Sequence, residues 1–140
     1  MDAVDRESRT TPRALPTPDT EPYFAALAEE RVVLQHCDAC DRFVHYPRHR
    51  CPHCLSDQLS WRASSGTGTV FTFSVARQPT APMFAAEVPQ VIAVIELPEG
   101  VRITSTIVGC DPAAVRCGAA VVPVFDHRPG STTLLRHRLA

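Results

Sequence analysis

The chain has 140 residues, 44% of them hydrophobic and 21% charged, which is the composition of one globular domain or two small ones. A formal net charge of -1 supplies no basic field for phosphate backbones, and no apolar run approaches the roughly 18 residues that span a bilayer. All 14 basic residues are arginines, so no lysine is present to form a Schiff base or serve a Walker motif.

Residues 1–18 are polar, charged and broken by Pro12, Pro16 and Pro18, and read as a disordered or draping tail. Their first part has no apolar signal core, so a cytoplasmic location is expected and the six cysteines are not expected to form a disulfide framework. Residues 19–31 are predicted as an N-terminal helix. Asp19 or Thr20 would cap it, Pro22 would sit in its first turn, and Phe24, Leu27 and Ala28 would share its apolar face. So short a helix must dock on the rest of the chain or on a partner.

Residues 32–62 hold the paired cysteines, with Val32-Val33-Leu34 leading in as a strand and Trp61 closing the segment. Ala63-Ser64-Ser65-Gly66 reads as a joint to a second domain over 63–140. There the period becomes two. Phe71, Phe73 and Val75 alternate with Thr72 and Ser74, which assigns the three apolar residues to one core face. Residues 77–90 form a proline-rich loop, residues 91–97 a second strand, and Pro98-Glu99-Gly100 a three-residue hairpin loop. Val101, Ile103 and Ile107 mark a third strand. Asp111-Pro112 and the later Gly118 bracket one or two helical turns, flanked by Cys110 and Cys117 as buried thiols. Residues 120–125 make a fourth strand, on an edge or bulged at Pro123, and residues 132–137 a fifth. Three strands, a short helix and two more strands is the order of a five-stranded Greek-key OB-fold barrel. An Ig-like sandwich wants about seven strands and no helix. The chain is therefore predicted to be mainly β: an N-terminal helix, a rubredoxin-like zinc ribbon and a C-terminal OB barrel.

Cys37-x2-Cys40, ten residues, then Cys51-x2-Cys54 is the spacing of two knuckles that share one metal ion. Four thiolates make a closed structural Zn2+ site with no open position for water, which argues against a catalytic zinc. An iron site of rubredoxin type has the same geometry. His36, His45, His49 and His53 lie in or beside the knuckles; any could replace a cysteine as a ligand, but with four cysteines present they read as exposed side chains or outer donors to sulfur.

Several segments in this order carry a wider resemblance. They are Asp19-Thr20-Glu21-Pro22-Tyr23-Phe24, Leu34-Gln35-His36-Cys37-Asp38-Ala39-Cys40, Tyr46-Pro47-Arg48, Cys51-Pro52-His53-Cys54, Trp61 and Gly66-Thr67-Gly68-Thr69-Val70. Pro89, Val94-Ile95-Glu96-Leu97, Gly100, Val108-Gly109 and Gly118 follow. The chain resembles the zinc-ribbon plus OB-fold proteins associated with acyl-CoA metabolism, with Arg48 standing where that family commonly has a second proline. The resemblance implies a non-catalytic accessory subunit of a thiolase-fold enzyme (thiolase, retro-aldolase or acyltransferase) or of a hot-dog-fold hydratase, in a hetero-oligomer. It implies ribbon and helix against the partner, with the barrel helping to hold acyl-CoA. The residues agree: Ser64, Ser65, Ser74 and Ser105 lie in no nucleophile elbow. Met83 and Phe84, at the tip of the 77–90 loop, are candidates to touch an acyl chain or partner, or else pack on the barrel. Arg77 is a candidate for a CoA phosphate, or a solvated cation. The competing reading is a single-stranded nucleic-acid module stacking bases on Phe71, Phe73, Tyr46 and Trp61, against which the near-neutral charge weighs.

Overall fold

The computed structural model describes residues 12–140; the expectation of a disordered or draping tail falls mostly on 1–11, outside the described residues. Residues 12–17 have no regular secondary structure and lie at the surface, where Arg13 donates to the Gly130 carbonyl and Thr132 to the Ala14 carbonyl. Helix α1 spans Glu21–Ala28, with Pro22 in its first turn. Thr20 stands at its N-cap but makes no side-chain cap; its hydroxyl accepts instead from the Thr17 N–H at 2.8 Å. Ala26 and Leu27 are buried and Phe24 half-buried, whereas Ala28, expected on the packed face, is exposed. The helix ends there, and the chain reverses through left-handed Glu30 (φ 57°) into the first strand.

Strand β1 (Val32–Cys37) lies between β2 (Arg42–Val44) and β3 (Leu59–Ser64), antiparallel to both. All six β1 residues are buried, because α1 packs against this strand and Leu34 enters the core of the second module. The Gln35 amide clamps the chain beyond β2, donating to the Arg48 carbonyl at 2.8 Å and accepting from its N–H at 2.7 Å.

Strands β4 (Gly68–Ala76), β5 (Gln90–Glu96), β6 (Arg102–Ile107), β7 (Ala120–Asp126) and β8 (Leu134–Leu139) close a barrel in the order β4-β5-β6-β8-β7, with β6 and β8 parallel. This is the OB-fold. Val70, Ala93, Ile95, Ile103, Ile107 and Val121 fill it at 4% exposure or less. Leu97 and Val101 close the hairpin around Pro98-Glu99-Gly100 with a 3.0 Å N–H···O bond. Pro123 sits on β7, whose second edge meets β4 only at Ala120 and Val121, where a missing N–H is tolerated.

The alternation assigned to β4 is interrupted. The β4–β5 register shifts between Val70 and Thr72, leaving Phe71 as the extra residue of a bulge. Val70 therefore takes the core position, and Phe71 points outward at 47% exposure with the Arg102 guanidinium 3.7 Å above its ring. Phe73 and Val75 return to the core side. Within the 77–90 loop a 3-10 helix forms over Pro82–Glu87. The turn after β6 is a 3-10 helix, Pro112–Ala114, capped by Asp111 accepting from the Ala113 N–H at 2.9 Å. It is a single surface turn. Cys110 is consequently only half-buried and Cys117 exposed, contrary to the expectation of two buried thiols.

Ribbon and barrel share packing. Leu34 and Phe43 of the ribbon belong to the barrel's core cluster, and Ser64 donates to Glu99 at 2.7 Å across the joint. Among the described residues no helix is long and apolar enough to cross a membrane.

Candidate metal centre

Each cysteine pair ends in the same turn. The Asp41 N–H bonds to the Cys37 carbonyl at 2.8 Å and the Leu55 N–H to the Cys51 carbonyl at 2.9 Å. Asp41 (φ 59°) and Leu55 (φ 65°) are both left-handed. The two knuckles face each other because β1 runs into the first while the Asp38 N–H and Gln58 carbonyl tie it to the chain leaving the second. All four sulfurs lie within 4.8 Å of one another, with Cys37–Cys54 at 3.6 Å and Cys40–Cys51 at 3.7 Å. A tetrahedron with metal–sulfur bonds of about 2.3 Å has edges of about 3.8 Å, so the cage fits one zinc ion.

The electrostatics point the same way. Burial, and then hydrogen bonding to Cys37 and the other thiols, pushes the Cys40 thiol up to about 12. At Cys51 burial also acts upward, but the Cys54 and His53 backbone N–H groups outweigh it and draw the thiol down to about 7. Four thiols this close cannot all ionise by themselves, and a divalent cation removes that conflict. The His53 N–H reaches the Cys51 sulfur at 3.3 Å, a donor that stabilises thiolate.

No histidine joins the sulfur cage. His36 is buried, with Nδ1 2.9 Å from Asp38 and Nε2 2.8 Å from Asp41. It braces the first knuckle. Asp38 is held below the usual carboxylate range by its hydrogen bonds from His36 and then from Ser60. His45 stacks among Tyr23 and Tyr46 with its Nε2 unpartnered, and His49 and His53 are exposed.

The barrel surface carries two adjoining clefts. One, of 440 Å³, runs along the β6–β8 seam and is lined by Tyr23, Phe24, Leu27, Phe84, Ile92 and Leu135. The other, of 590 Å³, opens at the barrel end beside Phe125, Arg128 and Arg136. Both reach Gln90, Thr106 and Arg136. Phe84 thus joins a cleft wall, while Met83 is half-buried and Arg77 stands exposed. Arg128 lies 3.5 Å from Glu87 and Arg136 lies 2.7 Å from Asp126.

Sequence reading missed one buried pair. The Ser105 hydroxyl lies 2.8 Å from His137 Nδ1, and His137 Nε2 lies 2.9 Å from the Gly66 carbonyl. The carbonyl only accepts, so Nε2 carries the proton and the hydroxyl donates to Nδ1. His137 has no exposed surface and Ser105 only 6%, so the pair braces the seam and is closed to a substrate. Neither residue lies in a motif that would have announced it.

A four-cysteine ribbon running into a closed OB barrel defines the two-module class of zinc-ribbon/OB proteins. Residues 24–60 match the model of the ChsH2 rubredoxin-like zinc ribbon domain, and residues 61–126 that of the ChsH2 C-terminal OB-fold domain. The chain belongs to this ChsH2 (DUF35) family. A probable enoyl-CoA hydratase alpha subunit of Thermomonospora curvata is 38% identical over 111 residues, 79% of this chain but 34% of that protein. A DUF35 domain-containing scaffold protein of Methanothermobacter thermautotrophicus is 38% identical over 90 residues, 64% of this chain and 67% of that protein. The chain therefore spans about a third of the first relative and two thirds of the second. Among solved structures, a chain of the Ltp2-ChsH2(DUF35) aldolase matches with a TM-score of 0.80 at 35% identity, covering 91% of this chain and 98% of that one.

Proposed function

We propose that this chain is a non-catalytic accessory subunit that binds and supports a thiolase-fold enzyme acting on acyl-CoA. A hot-dog-fold hydratase subunit is the other partner that the reading admits. The observation that carries it is the likeness to a chain of the Ltp2-ChsH2(DUF35) aldolase, over 91% of this chain and 98% of that one. The names of the relatives, a scaffold protein and a hydratase alpha subunit, point in the same direction. The chemistry of the chain agrees with it. Its one serine–histidine pair among the described hydrogen bonds is sealed in the barrel seam, and in this reading catalysis belongs to the partner.

In this reading Cys37, Cys40, Cys51 and Cys54 hold one structural Zn2+ that clamps the two knuckles. Such an ion supplies on the order of 10 kcal/mol of apparent folding free energy in small modules. The barrel contributes to acyl-CoA binding through its adjoining clefts. The apolar one, walled by Phe84, suits an acyl chain; in the other, Arg128 and Arg136 would meet an anionic group only by giving up Glu87 and Asp126, which line the same cleft. Met83 and Arg77 flank this region as further ligand or partner contacts. The competing reading, a single-stranded nucleic-acid module, finds one exposed aromatic on the barrel at Phe71, but Arg102 already covers that ring.

The test is affinity capture of the tagged chain from its own cells, followed by identification of what remains bound. Stoichiometric recovery of a thiolase-fold or hydratase subunit, with acyl-CoA turnover only in the complex, is the expected result. Turnover by the chain alone, or recovery of nucleic acid in place of an enzyme, would overturn it.

A further inference from the structure

Positive charge is unevenly spread along this near-neutral chain. Residues 42–55 contain Arg42, Arg48, Arg50 and three histidines but no aspartate or glutamate. The same stretch exposes two large apolar side chains, Tyr46 at 53% and Leu55 at 69%. Together with Pro47, Pro52, Arg48 and Arg50 they line one concavity of 550 Å³ at the ribbon tip, where Asp19 is the one acid. Asp19 lies 3.7 Å from His49; among the described residues neither Arg48 nor Arg50 has a carboxylate partner.

Two features show that the tip is held in shape. Gln35 bonds both backbone groups of Arg48, and Arg50 donates to the Leu55 carbonyl at 3.1 Å. Leu55 itself is left-handed at φ 65°, a conformation that is strained for a residue with a Cβ. The matching position of the other knuckle has Asp41, a residue that tolerates this conformation. Leucine at this position gains little from packing within the chain, since most of its surface stays in water.

An apolar centre on a rigid support, flanked by two guanidinium groups that have no carboxylate partner among the described residues, is the anatomy of a protein interface. We infer that the ribbon tip docks a partner protein that presents an apolar recess to Leu55 and Tyr46 and acidic side chains to Arg48 and Arg50. The inference rests on the accessory-subunit reading and names the surface through which it would act. Three arginines form too small a footprint for a nucleic-acid backbone, and two apolar side chains too small an area for a lipid surface.

The experiment uses the full zinc-loaded chain and the enzyme subunit captured with it from its own cells. Leu55→Asp and the double variant Arg48→Glu/Arg50→Glu are compared with Arg102→Glu on the barrel, zinc content confirming that each ribbon is folded. The tip variants should weaken binding at least about tenfold, and wild-type binding should weaken as salt rises, while Arg102→Glu leaves it unchanged. Undiminished binding of the enzyme by both tip variants would overturn the docking surface and leave the accessory role standing. Failure to capture any enzyme would overturn both. Tip-dependent binding of a single-stranded oligonucleotide or of phosphatidylserine vesicles, without tip-dependent enzyme binding, would assign the surface elsewhere and overturn the inference.

Discussion

His137 of β8 and Ser105 of β6 are joined by a 2.8 Å hydrogen bond across the barrel seam, where the two strands pair in register only at Ile107 and His137. The second imidazole nitrogen donates to Gly66, in the joint between ribbon and barrel. One buried side chain therefore ties the seam to the junction of the two modules. Ser105→Ala should cost about 1–3 kcal/mol by leaving Nδ1 unpartnered, and His137→Leu should cost more because the Gly66 carbonyl is orphaned too. Urea unfolding of both single variants and the double variant checks this. Strict additivity would argue that the two groups do not act as a unit.

Burial holds the His45 imidazole down to about 4, from 6.5, and lowers His137 as well. Between those two pH values the unfolded chain binds the His45 proton and the folded chain does not. That contribution to stability is complete above about pH 6.5 and is lost as pH falls toward 4. Thermal melts across this window should show wild type losing stability more steeply than His45→Phe, acid loss of metal being common to both. Parallel slopes would show that His45 does not titrate as its burial requires.

Cys51→Ser should abolish stoichiometric zinc binding, measured by elemental analysis, and unfold the ribbon. The barrel should persist with a lowered melting temperature, because Leu34 and Phe43 of the ribbon pack into its core. Full metal retention in this variant would remove Cys51 from the ligand set.

Two glycines separate crowding from conformation. A Cβ at Gly68 would collide with the Glu96 carbonyl oxygen and lie 2.9 Å from the Ile95 side chain, so Gly68→Ala should cost about 2–3 kcal/mol. Gly100 (φ +87°) has open space around its Cβ position, so Gly100→Ala should cost about 1 kcal/mol from backbone strain alone. Chemical denaturation of the two variants measures both terms. The reverse ranking would contradict the β4–β5 register.

Much of the architecture was legible because it is local. The doubled Cys-x-x-Cys spacing places sulfurs through turns of five residues, and the alternation of Val101, Ile103 and Ile107 needs only its own strand. The hairpin at Pro98-Glu99-Gly100 and the Asp111-Pro112 turn are likewise written in consecutive residues. Phe71 was misassigned because a bulge depends on the partner strand: the period of two continues in sequence while the β5 register slips beside it. Ala28 was misassigned because periodicity defines a face without saying how far the helix runs before the chain turns away.

Sequence by itself thus determined the two modules, the succession of barrel elements along the chain and the four cysteines that could share a metal, since each follows from local pattern and spacing. Only the tertiary structure decided that the four sulfurs converge, that ribbon residues complete the barrel core, that Phe84 walls a cleft and that Tyr46 and Leu55 stand exposed together. Those relationships join residues distant in sequence, and separation along the chain carries no record of which of them folding will bring into contact.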